Sequence, residues 1–129
     1  MPEIVQYYLV DAGLNMRKGK IAAQCAHGAL LAHKIYQRIA LLAQKDPHDM
    51  KSHGHNSFYL KWEGGDSTKI VLKATAEELK RANNEYRHMA AIVVDRGYTE
   101  VPANTTTVVV LPVMLKDGAP EWIKNLPLL

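Results

Sequence analysis

The sequence has a single cysteine, Cys25, among 129 residues, and it has no long hydrophobic run. One thiol excludes an internal disulfide and is typical of a reducing compartment. No apolar stretch approaches the roughly 20 residues that a membrane-spanning helix requires. The chain opens with MPEIVQYYLV, which has Glu3 where a secretion signal carries basic residues, so we expect no signal peptide. These absences predict a cytoplasmic protein that does not enter a membrane.

The length and the charge of the chain limit the number of domains and the kinds of partner that it can have. A chain of 129 residues fits one domain, residues 1–129, and can bury roughly two-thirds of its unfolded surface without disulfides. Lysine and arginine number 16 against 13 acidic residues, which gives a net charge of +3 and an isoelectric point near 9.0. This excess is compatible with a polyanionic partner but does not require one.

Strand and helix patterns alternate along the chain. Residues 3–10 are β-branched and aromatic and predict a strand, and Asn15 is a plausible N-cap for the long helix that follows. Thr75 with Glu78 three residues later forms a capping-box signal for another helix. We predict helices over residues 17–44, 76–89 and 119–125, strands over 68–74, 91–94 and 105–113, a loop or weak helix over 47–56, and a helical turn over 58–62.

This order of elements indicates the α/β class, with helices covering both sides of a mixed sheet in three α-β-α layers. Ligands of such folds bind beyond the carboxyl ends of the strands. Two polar segments lie there: residues 11–19 follow the first strand and residues 95–97 follow the third.

The first functional motif is MRKGKIAAQCAH, residues 16–27. Lys20, Gln24 and His27 are spaced i, i+4 and i+7, so they form one column on a helix. A lysine in the first turn opposes the helix dipole, which suggests that an anion or a developing oxyanion docks there. A solvated polar face would show the same spacing. The column borders an apolar stripe predicted to face the core: Ile21, Cys25, Gly28, Ala32, Ile35, Ile39 and Leu42.

A phosphate-binding P-loop does not fit this motif. Five residues, not four, separate Gly13 from Gly19, and Ile21 stands where a serine or threonine would hold magnesium. A cysteine nucleophile does not fit either. Cys25 and His27 are two residues apart and point to different helix faces, so Cys25 is interpreted as a core residue.

Three histidines after Pro47 raise the possibility of a metal site. His48, His53 and His55 match no closed zinc pattern, and we interpret any binding there as adventitious. We therefore predict no functional metal.

The second functional motif is DRGYTEVPANTTT, residues 95–107. Asp95 follows a buried strand, where a carboxylate could accept a proton, and Gly97 allows the chain to turn. The hydroxyls of Thr99, Thr105 and Thr107 can each donate or accept a hydrogen bond. An ordinary turn followed by an ordinary strand would have the same residues.

Taken together, these motifs resemble the archaeal and eukaryotic type of peptidyl-tRNA hydrolase. The resemblance covers nearly the whole chain. It rests on the G-K-x-x-A-Q-x-x-H core within MRKGKIAAQCAH, on KIVLK followed by EEL, on DRGYTEVP, on TTTVV and on the terminal KNLPLL.

The resemblance implies hydrolysis of the ester that joins a peptide to the terminal ribose of tRNA, without metal or organic cofactor. It also implies a four-stranded mixed sheet and a homodimer. The residues that match the family's proposed active site are Lys20, Gln24, His27, Asp95, Thr99 and either Thr105 or Thr107. A non-catalytic tRNA-binding or protein-interaction module on the same fold is the alternative.

The family's chemistry can be assigned to these residues as a hypothesis. Asp95 orients or deprotonates a water, helped by Thr99 or Thr107, and Lys20 stabilises the carbonyl oxygen or binds a phosphate. Gln24 fixes the ester and His27 acts in positioning. We expect the tRNA phosphates to be contacted by Arg17, Lys18 and Arg96.

Two residues depart from the family's pattern. Arg96 replaces a small residue, and Asn104 replaces a glycine before the threonines. Arg96 could add a phosphate contact or crowd the pocket, so the departure bears on substrate preference more than on the chemistry.

Overall fold

The computed structural model describes residues 2–97 and 100–129, and within these ranges the chain forms five strands and four helices. The strands are β1 (Ile4–Asp11), β2 (Lys69–Ala74), β3 (Ala91–Asp95), β4 (Thr105–Val110) and β5 (Met114–Leu115). The helices are α1 (Lys18–Lys45), α2 (Met50–Gly64), α3 (Ala76–Glu85) and α4 (Glu121–Lys124).

The main sheet has the order β2-β1-β4-β3, and the short β5 extends it by pairing with the start of β1. Strands β1 and β2 are parallel, whereas β4 is antiparallel to both β1 and β3. The strands β1, β2 and β3 therefore run in the same direction, and their carboxyl ends lie at one edge. This mixed α/β sheet confirms the predicted fold class.

The strand predicted over residues 105–113 is too long. Strand β4 ends at Val110, and pairing resumes only in β5. Pro112 lies in the gap, and because proline has no N–H it cannot donate to a central ladder.

Two apolar cores cover the two faces of the sheet. On one face, Tyr8, Val93 and Val108 pack under α1. On the other face, Leu9 packs with Leu79 of α3, and Ile123 of α4 belongs to the same core. Because side chains alternate along a strand, neighbouring residues such as Tyr8 and Leu9 enter different cores. The helices and the sheet thus form the three predicted layers.

Helix α1 lies close to the sheet because Gly28 faces it. A Cβ atom at Gly28 would be 2.7 Å from Cγ2 of Val110 and 3.1 Å from Cγ2 of Val93. Gly28, Ala32 and Ile39 of the predicted stripe are buried, but the expectation for Leu42 is wrong, since its side chain is 49% exposed. The stripe drifts around the helix because 3.6 residues per turn does not divide a seven-residue repeat evenly.

The predicted N-cap of α1 is also wrong. The N-cap is Arg17, with extended backbone and no side-chain cap. Asn15 instead ends a short 3-10 turn over Ala12–Leu14, in a left-handed conformation with φ of 51°. Asparagine tolerates this conformation better than most residues, which explains its use there.

Residues Met50–Gly64 form one continuous helix, which agrees with the weak-helix alternative for residues 47–56 but not with the loop alternative or with a separate helical turn over 58–62. The Asp49 carboxylate caps α2 by accepting hydrogen bonds from the backbone N–H and the hydroxyl of Ser52. The Tyr36 and Tyr59 rings stack with centroids 4.0 Å apart and join α1 to α2. Tertiary packing of this kind outweighs the weak helical preference of a segment rich in histidine and glycine.

Helix α3 begins as predicted, with the capping box between Thr75 and Glu78. It ends at Glu85, four residues earlier than expected, and His88 has a φ of 71° that no α-helix allows. The last helix spans only Glu121–Lys124. Across the described residues, the helices are too short or too polar to cross a membrane.

Candidate active site

The structure brings Lys20 and Asp95 together across 75 residues of sequence. Lys20 is in the first turn of α1 and Asp95 ends β3, and the ammonium donates a hydrogen bond to Oδ2 of the carboxylate. Their side chains are only 12% and 6% exposed. The two sequence motifs therefore meet at the carboxyl edge of the sheet, in a partly buried ion pair.

The Asp95 carboxylate has a second fixed donor. The backbone N–H of Gly97 donates to Oδ1 over 2.6 Å. The Lys20 ammonium, and after it this N–H, hold the pKa of Asp95 below its usual range, because both stabilise the charged form. Gly97 has a φ of 84°, and a Cβ there would lie 2.6 Å from the backbone N of Ala103, so glycine is required for this turn.

Gln24 and Thr107 form the second contact between the motifs. The Thr107 hydroxyl, fully buried, donates to Oε1 of Gln24 over 2.5 Å, with the carbonyl of Val93 farther away at 3.4 Å. A hydroxyl has one proton, so the shorter contact fixes Gln24 with its oxygen inward. No hydrogen bond to another described residue occupies the Nε2 group of Gln24.

Thr105 lies opposite Asp95 in the pairing of β3 with β4, but its hydroxyl donates to the carbonyl of Pro102 over 2.7 Å. The backbone N–H of Asn104 donates to the carbonyl of Asp95 over 2.7 Å. Asn104 has a φ of 62°, a left-handed conformation in which asparagine is a good substitute for glycine. The departure at this position thus preserves the backbone of the turn.

The remaining candidates that the structure describes have exposed side chains. His27 is exposed, although it shares a helix face with Lys20 and Gln24, and Thr99 lies outside the described residues. The three cationic candidates are all exposed: Arg17, Lys18 and Arg96.

One contact near the site is not predicted by the sequence. The carboxylate of Glu100 accepts a hydrogen bond of 2.9 Å from the backbone N–H of Arg17, the N-cap of α1. This contact ties the loop after β3 to the start of the helix, where the dipole favours an anion. No local pattern reveals a pair separated by 83 residues.

No hydrogen bond between described residues joins the Cys25 thiol to this cluster. Cys25 is half-buried, and burial raises the pKa of its thiol, which favours the unreactive protonated form. Within the described part of the chain, no three histidine, cysteine or acidic side chains are grouped to hold a metal ion.

The cluster offers both donors and acceptors to a ligand. A carboxylate has about four acceptor positions and an ammonium has three donors, so each member of the ion pair retains capacity after the contacts above. Asp95 can hold a water, and Lys20 and Gln24 can donate to an oxygen that becomes negative. This set suits hydrolysis of an ester by an activated water.

Comparison with known proteins assigns the family. The family model for peptidyl-tRNA hydrolase PTH2 matches residues 4–129. The chain belongs to this family. The matched range includes both motifs that form the Lys20–Asp95 cluster.

Individual relatives agree with the assignment. A probable peptidyl-tRNA hydrolase 2 of Dictyostelium discoideum is 31% identical over 127 residues, which cover 95% of this chain and 53% of the relative. A mitochondrial peptidyl-tRNA hydrolase 2 of Homo sapiens is 33% identical over 78% of this chain and 50% of the relative. A peptidyl-tRNA hydrolase of Staphylothermus marinus is 33% identical over 83% of this chain and 79% of the relative. The chain thus spans about half the length of these two eukaryotic relatives and most of the archaeal one.

Proposed function

We propose that the protein hydrolyses peptidyl-tRNA, with water cleaving the ester between the peptide and the terminal ribose. The products are a free peptide and a tRNA that re-enters translation after aborted synthesis. The observation that carries this proposal is the meeting of Lys20 and Asp95 beside Gln24 at the carboxyl edge of the sheet. Membership of the peptidyl-tRNA hydrolase PTH2 family supports it.

Asp95 positions the attacking water. Its carboxylate is ionised at neutral pH, and Lys20 and the Gly97 N–H lower its pKa further below the usual range. As water attacks the ester carbonyl, Asp95 takes the proton and returns it to the departing ribose oxygen. A lowered pKa weakens a general base, so orienting the water is the larger part of this role.

Lys20 and Gln24 stabilise the oxyanion. When negative charge develops on the carbonyl oxygen, the Lys20 ammonium shares its protons with it, and the loosened pairing makes Asp95 a stronger base. The Nε2 group of Gln24, aimed outward by Thr107, is a second donor. One such donor contributes about 3 to 4 kcal/mol to the stabilisation of a transition state.

The other candidates have supporting roles. Thr107 is engaged by Gln24, which leaves Thr99 as the proposed partner of the water. Thr105 holds the loop through the Pro102 carbonyl. His27 is exposed and is proposed to position the substrate rather than to move a proton.

The tRNA body is proposed to bind through its phosphates. Arg17 and Lys18 precede and begin α1, and Arg96 follows Asp95, so these exposed cations lie within three residues of Lys20 or Asp95 in the sequence. Phosphate contacts set the position of a nucleic acid without reading its sequence.

The remaining proposals concern the domain, its oligomeric state, its cofactors and its location. Residues 1–129 form one peptidyl-tRNA hydrolase domain that acts as a homodimer, without metal or organic cofactor. We propose a cytoplasmic location, although the human relative is named mitochondrial. The sedimentation of the purified chain and the location of a tagged copy test these two points.

A deacylation assay tests the activity. Diacetyl-lysyl-tRNA, which has a blocked amine, should be cleaved at the same rate with and without a chelator, and the Asp95→Asn variant should be at least about 100-fold slower. A folded variant that matches the unmodified protein would reject the role of Asp95. Binding of tRNA without any deacylation would favour a non-catalytic module instead.

A further inference from the structure

A cavity lies at the same sheet edge as the Lys20–Asp95 ion pair, on the face that α3 covers. It has a volume of about 230 Å³ and lies between α3 and the ends of β1 and β4. Leu79 and Val109 supply apolar walls, and Asp11, Thr106 and Asn83 supply polar groups. Pockets for drug-sized ligands are roughly 300 to 1,000 Å³, so this cavity suits a single ring system.

Asp11 gives the cavity its chemical character. The residue is 7% exposed, and its Oδ1 accepts a hydrogen bond of 2.9 Å from the backbone N–H of Gly13. No described residue donates to Oδ2. Since every fully buried side-chain oxygen of the described residues has a hydrogen-bond partner, Oδ2 is not sealed off and can accept a hydrogen bond from a ligand in the cavity. Lys80 lines the cavity but is directed to Glu77, 3.6 Å away.

The cavity adjoins the ion pair through β4. Thr105 lies opposite Asp95 in the β3–β4 pairing and also lines the cavity. Asp11 and Asp95 end the two strands that flank β4, so they are about 10 Å apart along the sheet, two strand spacings. A single nucleic acid strand that crosses the end of β4 can present its terminal ribose to one site and a base to the other.

We propose that this cavity binds a nucleobase that carries an exocyclic amine, supplied by the single-stranded 3′ end of tRNA. Oδ2 of Asp11 accepts a hydrogen bond from the amine, the Asn83 amide and the Thr106 hydroxyl contact the remaining edge, and Leu79 covers the ring. Acidic side chains accept from the amine of cytosine in the same way. All three bases of a CCA end carry such an amine. This inference rests on the proposed function for its ligand.

Binding without turnover tests the inference. The 15N-labelled protein is titrated with the RNA trinucleotides CCA and UUU, and separately with free cytidine monophosphate. CCA should shift the amide signals of Gly13 and Asn83 and bind about five-fold or more tightly than UUU, which has carbonyl oxygens in place of the amines. If free cytidine monophosphate matches CCA, the cavity serves free nucleotides, and the proposed tRNA source is overturned.

Two variants sharpen the test. Asn83→Phe fills the cavity and should abolish the CCA shifts, whereas Asn84→Phe adds the same bulk at an exposed position of α3 outside the cavity lining and should leave them. In Asp11→Asn the amide oxygen can still accept the hydrogen bond of the Gly13 N–H. The new side chain offers the base an NH2 donor as well as an oxygen acceptor, so this variant should lose the preference for CCA over UUU. A preference unchanged in Asp11→Asn, or CCA shifts retained in Asn83→Phe, would overturn the proposal.

The outcomes separate the two proposals. If the CCA signals behave as expected but diacetyl-lysyl-tRNA is not cleaved, the cavity is confirmed and the hydrolase activity is rejected. If the substrate is cleaved but CCA and UUU bind alike, the hydrolase proposal stands and the cavity proposal fails.

Discussion

The bulge in the pairing of β3 with β4 falls at Thr107 and directs its hydroxyl to Gln24. Val93 pairs with Val108 and Val94 pairs with Thr106, so Thr107 is the extra residue on β4. In a regular strand Thr107 would face the same side as Val109, under α3. The bulge moves it to the α1 face, where it donates to Oε1 of Gln24. Bulges beside active sites often redirect a side chain in this way.

The orientation of Gln24 should therefore depend on the Thr107 hydroxyl. Thr107→Val keeps the shape of the side chain but removes the donor, so the Gln24 amide is free to turn, and we expect kcat for diacetyl-lysyl-tRNA to fall about 10- to 100-fold. Thr107→Ser should restore most of the rate. A merely structural role would lower the melting temperature of Thr107→Val without changing kcat at a temperature where it is folded.

Lys20 and Asp95 should behave as one unit. Lys20→Met and Asp95→Asn should each lower kcat/KM at least about 100-fold, and the double variant should lose little more than the worse single variant, because the ion pair orients both groups and either change already breaks it. Single-turnover rates of the three variants measure this coupling, and circular dichroism controls for folding. Losses that multiply in the double variant would mean that the two groups act independently.

Local patterns predicted the parts of the fold that depend on nearby residues. The strand β1, the long α1 and the capping box at Thr75 follow from periodicity and from side chains within a few residues. The full extent of α2 was not predicted, because packing of the Tyr59 ring against α1 supports this helix and no local pattern records that contact.

The candidate site was predictable in its residue types but not in its pairings. The column of Lys20 and Gln24 follows from helix geometry, yet its partners depend on the sheet order. The bulge at Thr107 and the contact between Glu100 and the Arg17 N–H have no signature in sequence. The position of Asp11 in the cavity has no signature in sequence either, because the strand pattern predicts only where β1 ends.

Acid should remove the stability that the ion pair provides. The pKa of Asp95 is lower in the folded protein than its ordinary value of 3.8. The charged carboxylate therefore stabilises the fold at any pH above the pKa that Asp95 has in the unfolded chain. This contribution is lost as pH falls from 3.8 through the lower folded pKa. Urea unfolding between pH 6 and pH 2.5 should show a steeper acid loss for the unmodified protein than for Asp95→Asn. Parallel curves would show that the pair contributes nothing to the pH dependence.

The salt dependence of tRNA binding should count the phosphate contacts near the ion pair. Arg17→Ala, Lys18→Ala and Arg96→Ala should each reduce the slope of log affinity against log salt by about 0.7 to 0.9. Lys45→Ala is a matched control, because it removes an exposed cation about 40 Å away at the other end of α1. Equal effects of Lys45→Ala and Lys18→Ala would indicate a diffuse attraction instead of contacts at the site.

The close approach of α1 to the sheet should fail when Gly28 gains a side chain. In Gly28→Ala the new Cβ would lie 2.7 Å from Cγ2 of Val110, so either the helix or the Val110 side chain must shift, at a cost of about 1 to 3 kcal/mol in the free energy of unfolding. Gly19→Ala is the matched control on the same helix: its Cβ meets no atom within 4 Å, and alanine favours a helix by up to about 1 kcal/mol. Because α1 carries Lys20 and Gln24, a shifted helix should also lower kcat of Gly28→Ala. Equal stability of the two variants in urea would contradict the packing of α1 described above.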